Sequence, residues 1–66
     1  MFDLYFSNTP VATFKTLFTA TVRACEISEH YHTDACVVDN TTGEVMVDFT
    51  DGRCEYLATA AMVNVV

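Results

Sequence analysis

The sequence predicts an α+β fold in which one helix packs on one face of a small sheet. Residues 2–7 alternate between apolar and polar side chains, which is the pattern of a half-buried strand. Apolar residues recur at helical spacing from residue 11 to about residue 29, and β-rich runs separated by turn residues follow. The expected order is strand, helix and antiparallel meander (βαββ or βαβββ), in a single domain over residues 1–66.

The helix is expected to begin at Thr9 and Pro10. Threonine can cap a helix, and proline at the first helical position loses no hydrogen bond, because the N–H group there would be unpaired. β-Branched threonines are frequent in this stretch and restrict χ1, so tertiary packing must stabilise the helix. The predicted polar face of the helix consists of Lys15, Thr16, Thr19, Arg23 and Glu26.

Two β-rich runs, at residues 31–39 and 44–49, predict a hairpin around the turn-forming residues 40–43. A four-residue loop would place Cys36 opposite Val47. A three-residue loop with a glycine bulge would shift the pairing by one residue and turn the opposite set of side chains toward the helix. The sequence leaves both registers open.

A second, two-residue turn is predicted at Asp51–Gly52, a dipeptide typical of tight hairpins. It would pair Val47 with Tyr56 and continue the meander. Residues 57–66 carry no charge and combine alanines, which suit a helix, with valines, which suit a strand. Their structure is left undecided.

Charge and composition narrow the classes of function. Nine acidic and three basic residues give a formal net charge of −6, which disfavours direct nucleic-acid binding because phosphate contacts need Lys and Arg. A basic protein partner is favoured instead. The chain shows no signal-peptide pattern and no apolar run that could span a bilayer, and its three cysteines lack paired spacing. A cytoplasmic protein with reduced thiols is therefore expected.

The stretch EHYHTDAC contains both histidines of the chain. If it were a strand, four potential zinc ligands would project from one face, namely His30, His32, Asp34 and Cys36. Metal binding through these residues is an alternative hypothesis. No catalytic constellation and no phosphate-binding loop is present in the sequence, so neither an enzyme nor a cofactor is predicted.

The spacing of His30, His32 and Asp34 resembles the first metal motif of the metallo-β-lactamase superfamily. That motif continues with a histidine where this chain has Ala35, and the superfamily's fold needs a far longer chain. The resemblance is therefore discarded.

The four-residue-loop register predicts an exposed contact surface on the outer face of the sheet. An apolar centre within an acidic rim is typical of protein-binding sites. The predicted centre is Val37, Met46 and Leu57, and the predicted rim is Asp39, Glu44, Asp48 and Glu55. The leading hypothesis is a small, acidic, non-enzymatic regulator or inhibitor that binds a larger basic protein.

A homo-oligomeric structural unit is the other alternative hypothesis. In that case a sheet edge or the uncharged residues 57–66 would pair with a second copy, and a homodimer would be the simplest assembly. By size and charge alone, the chain is similar to small acidic accessory proteins of bacteriophages.

Overall fold

In the computed structural model, which describes residues 1–59, one helix packs on one face of a five-stranded antiparallel sheet. The elements are β1 (Phe2–Phe6), β2 (Thr9–Phe14), α1 (Leu17–Tyr31), β3 (Asp34–Asp39), β4 (Glu44–Thr50) and β5 (Arg53–Leu57). The order across the sheet is β2-β1-β3-β4-β5. The predicted α+β class is confirmed, with one more strand than expected before the helix.

The predicted helix start at Thr9 and Pro10 is wrong, because these residues begin β2. Ser7 and Asn8 both have positive φ, 51° and 68°, as in the two-residue turns that match the twist of a hairpin. The chain therefore reverses and pairs β2 with β1. Proline is tolerated there because β2 is an edge strand with a single neighbour.

Helix α1 begins after Thr16, whose extended backbone (φ −120°) and side chain form the N-cap. The Thr16 hydroxyl accepts a hydrogen bond from the backbone N–H of Thr19 at 3.2 Å. The helix ends at His32, which is left-handed (φ 53°) and donates its backbone N–H to the carbonyl oxygen of Ser28. The buried positions of α1 follow helical spacing and include small side chains, which allow close approach to the sheet: Leu17, Ala20, Ala24 and Ser28.

The core lies between α1 and the centre of the sheet. Leu4, Val37 and Val47 are at most 1% exposed and lie side by side across β1, β3 and β4. Ala35 and Phe49 form the next buried pair on the same face. Because side chains alternate along a strand, this arrangement fixes which residues of β3 point away from the helix.

The β3–β4 hairpin has the predicted four-residue loop, and the pairs next to that loop are as predicted. Farther along, β4 bulges at Met46, so Cys36 lies opposite Asp48 and the predicted Cys36–Val47 pairing is wrong. An extra residue on one strand shifts all later pairs by one and reverses their faces.

The β4–β5 hairpin has the predicted two-residue turn, and Asp51 and Gly52 both have positive φ. The pairs next to the turn are as predicted, but β5 bulges at Glu55. Tyr56 therefore lies opposite Asp48, and the predicted pairing of Tyr56 with Val47 is wrong.

Ser28 connects the helix to the two turns at its C-terminal end. Its side chain is fully buried, its hydroxyl donates to the carbonyl oxygen of Thr33 at 2.8 Å, and it accepts the backbone N–H of Gly52 at 2.8 Å. Both backbone groups are thereby satisfied inside the fold. This link holds the end of α1 against the β4–β5 turn.

The stretch that the sequence left undecided begins at Leu57, the last residue of β5. Residues 60–66 lie outside the described residues. In the part of the chain that the structure describes, no helix is long and apolar enough to cross a membrane.

Candidate protein-interaction surface

The apolar centre predicted from the sequence is not exposed. Val37 and Met46 are 0% and 4% exposed, and Leu57 is half-buried against the core. Val37 faces the helix beside Leu4 and Val47, and the bulge at Met46 carries that side chain into the same cluster. The predicted exposure of these residues is therefore wrong, because the register was set by a bulge that the sequence pattern did not indicate.

The predicted acidic rim is divided by the structure. Asp39 and Glu44 form the last pair beside the β3–β4 loop, whereas Asp48 is half-buried in the middle of β4. Glu55 lies at the bulge of β5 and is exposed. The negative charge of Glu55 contributes to the raised pKa of Asp48.

The sheet face opposite α1 is the candidate surface, which we call the open face. No helix or strand among residues 1–59 packs on it, because α1 covers the other side. By strand register, its members are Asp3, Tyr5, Pro10, Thr13, Asp34, Cys36, Val38, Val45, Asp48, Thr50, Arg53 and Tyr56.

The central row of the open face has tyrosines at its two ends and a thiol and a carboxyl group between them. Tyr5, Cys36, Asp48 and Tyr56 are successive cross-strand partners from β1 to β5. Tyr56 is 49% exposed, and a tyrosine offers both an apolar ring and a hydroxyl. This row therefore combines contact area with a carboxyl group at its centre.

The rows on either side add apolar and charged groups. One row places Asp3 beside Val38 and Val45, and Val45 is 39% exposed. The other places Asp34 beside Thr50 and Arg53. The Arg53 guanidinium lies 3.8 Å from the carboxylate of Glu55, so the nearest acid to this base is on its own strand.

Asp34 and Asp48 form an electrostatically strained pair of carboxyl groups. Burial, a hydrogen bond with the carboxyl group of Asp34 and the negative charges of Asp34 and Glu55 together raise the pKa of Asp48 to about 6. Asp48 Oδ1 is buried and accepts no hydrogen bond from any described residue. The Thr50 hydroxyl, 3.4 Å from Asp34 Oδ1, is a weak donor to the pair.

The same environment keeps the Cys36 thiol protonated. Burial raises its pKa, and the charges of Asp48 and Asp34 add to the increase. A thiolate, not a thiol, is the nucleophile and metal ligand in proteins. Cys36 therefore contributes a small, weakly polar surface to the open face.

The four potential ligands in EHYHTDAC do not share a strand face, so that prediction is wrong. His30 lies in the last turn of α1 and His32 is its C-cap, while only Asp34 and Cys36 lie on β3. His32 Nδ1 is 2.7 Å from Asp51 Oδ1, in an exposed pair across the turn. Among residues 1–59, no three such side chains come together in a group that could hold a metal ion.

Both outer strands carry features that hinder pairing with another sheet. Strand β2 contains Pro10 and bulges at Val11, and β5 carries Arg53 and Glu55 around its own bulge. Proline, charges and bulges on edge strands are known devices against edge-to-edge association. These features disfavour a homo-oligomer that pairs through a sheet edge. A homo-oligomer that pairs through residues 57–66 would use residues that lie largely outside the described part of the chain.

Comparisons with known proteins found no family model, no curated protein and no solved structure that matches this chain. The case for a function therefore depends on the geometry and charge of its own residues.

Sequence reasoning missed Tyr5, Asp34 and Tyr56 as members of the surface. One signal was available: the alternation of residues 2–7 already places Tyr5 on the side opposite Leu4. Nothing local places Asp34 next to Asp48, because their proximity depends on the β3–β4 register after the bulge.

Proposed function

We propose that this protein is a non-enzymatic interaction module that binds a basic surface of a larger protein through the open face. The observation that carries the proposal is the charge on that face. Among residues 1–59, Asp3, Asp34 and Asp48 lie there with a single base, Arg53, whose guanidinium is next to Glu55. A partner with Lys and Arg side chains would neutralise these carboxylates and be steered toward them.

The other residues of the open face suit the same role. Tyr5 and Tyr56 flank the acidic centre along one cross-strand row, and aromatic rings favour contact with Arg and Lys by cation–π attraction. Val38 and Val45 supply apolar area beside them. Tyrosine is enriched at protein interfaces and among the residues that contribute most to binding.

A role as a cytoplasmic regulator or inhibitor is part of the proposal. Cys25, Cys36 and Cys54 are all free thiols, as is usual in a reducing compartment. A small domain without a catalytic constellation can act by occupying the surface of its partner.

The proposal is tested by mapping where a cationic probe binds. An oligoarginine peptide is titrated into isotope-labelled protein, and backbone amide shifts are followed by NMR. We expect the largest shifts in β3, β4 and β5, around Asp48 and Tyr56, with an affinity that falls as salt is added. Shifts confined to α1, or no binding at low salt, would refute the proposal.

A matched pair of charge reversals separates the open face from net charge. Asp48→Lys and Glu26→Lys change the net charge equally, but Glu26 lies on α1, where its carboxylate is 3.7 Å from Arg23 and 61% exposed. Asp48→Lys is expected to weaken peptide binding at least about tenfold and Glu26→Lys by less than about twofold. Equal losses in the two variants would mean that overall charge, not the open face, attracts the peptide.

A further inference from the structure

We infer that a cationic group docking on the open face expels a proton held between Asp34 and Asp48. This inference rests on the proposed function and adds a pH dependence to it. The O–H bond of one carboxyl group breaks, the proton passes to water or buffer, and the resulting carboxylate pairs with the incoming cation. No other bond is made or broken.

The geometry of Asp34 and Asp48 is the first observation that supports a shared proton. Asp48 Oδ1 is buried without a hydrogen-bond donor among the described residues, and Asp34 is its acidic neighbour across the β3–β4 pairing. Two carboxylates in such a place repel each other, and a shared proton both removes a charge and supplies a hydrogen bond. The free protein therefore retains a proton there at a pH where ordinary carboxyl groups have lost theirs.

Among residues 1–59, no base forms an ion pair with Asp34 or Asp48. From β3, the thiol of Cys36 faces it, and from β5 the carboxylate of Glu55 adds negative charge. Tyr56 lies opposite Asp48. The base nearest in the register, Arg53, is beside Glu55. Helix α1 packs on the other face of the sheet.

A guanidinium group from a partner would favour loss of the proton from the Asp34–Asp48 pair. It brings a positive charge and several N–H donors, which favour the ionised form of both carboxyl groups. The pKa of Asp48, raised to about 6 in the free protein, would then fall toward the ordinary range. By linkage, the proton leaves on binding and the affinity rises with pH through that interval.

Isothermal titration calorimetry tests this directly. Oligoarginine peptide is titrated into the protein near pH 6 in buffers of different ionisation enthalpy, which gives the number of protons released. We expect release of up to about half a proton at that pH, and up to about a tenfold gain in affinity between pH 5 and 7. Asp48→Asn should abolish the release, and Glu26→Gln should leave it unchanged.

Carboxyl carbon NMR shifts of Asp34 and Asp48 in the unaltered protein, followed against pH with and without peptide, give a readout that needs no variant. A bound-state pKa for Asp48 well below its free value would support the inference. Peptide binding on the open face with no proton release, or with equal release from Asp48→Asn, would overturn the inference and leave the proposed function standing. Binding elsewhere, or none, would overturn the proposed function and the inference with it.

Discussion

Replacing Asp48 by asparagine is expected to stabilise the protein at neutral pH, although the change removes a charged group from a small domain. Asparagine has nearly the same shape as a protonated carboxyl group and can donate a hydrogen bond to Asp34. It removes the repulsion among Asp48, Asp34 and Glu55 that raises the pKa of Asp48. No partner is needed for this test, so it examines the electrostatics of the open face by themselves.

The size of the effect follows from the shift in pKa. The pKa of Asp48 rises from 3.8 to about 6 on folding, and two units correspond to about 3 kcal/mol at most. Because Asp48 is only half-buried, solvent screening reduces the expected gain at pH 7 to about 1 kcal/mol. That is a rise in Tm of about 4–8 °C for a domain of this size.

The effect of Asp48→Asn on the free energy of unfolding depends on pH. Because the folded state binds the Asp48 proton more tightly than the unfolded state, this group's contribution to stability is fully present below about pH 3.8 and is lost as the pH rises through about 6. Asp48→Asn should therefore match the unaltered protein near pH 3.5 and exceed it at pH 7.

Urea unfolding followed by circular dichroism, at several pH values and with reductant, measures both the gain in stability at pH 7 and its dependence on pH. Glu26→Gln serves as the control, because it removes one negative charge from an exposed position on α1. A variant that is less stable than the unaltered protein at pH 7, or a difference that is the same at pH 3.5 and 7, would refute the electrostatic reasoning.

Two further predictions concern the C-terminal end of α1, and both are measured by urea unfolding. Ser28→Ala should cost about 1–3 kcal/mol, because it leaves the part-buried Gly52 N–H without its acceptor and the Thr33 carbonyl with only the 3.3 Å hydrogen bond from the Asp51 N–H; a loss below about 1 kcal/mol would show that water replaces the hydroxyl. Gly43 and Gly52 both have φ +79°, but a Cβ at Gly52 would lie 3.0 Å from Glu29 Cβ, whereas one at Gly43 meets nothing within 4 Å. Gly43→Ala should therefore cost about 1 kcal/mol and Gly52→Ala clearly more, and equal costs would mean that Glu29 moves aside freely.

The features that depend on neighbouring residues could be predicted from the amino-acid sequence alone. Alternation over residues 2–7, helical spacing up to residue 29 and the turn at Asp51–Gly52 are local patterns, and each corresponds to an element of the structure. The net charge of −6 is likewise a property of composition. These features were enough to predict the α+β class.

The helix start was missed because two local signals competed. Thr9 and Pro10 can begin a helix, but the left-handed Ser7 and Asn8 close a hairpin first. The energy that decides between them comes from pairing β2 with β1 and packing it beside α1. Such contacts are formed only in the folded chain.

Which face of the sheet is exposed could not be predicted from local patterns, because it depends on pairing between strands that are distant in sequence. In β3, Cys36 and Val38 alternate with Ala35 and Val37. Both faces of the strand are apolar enough to be buried, so the local pattern does not predict which of them faces the helix. The choice depends on the bulge at Met46, and one extra residue reverses every side chain beyond it. Asp34, Asp48 and Tyr56 meet on the open face because strands distant in sequence pair in that one register.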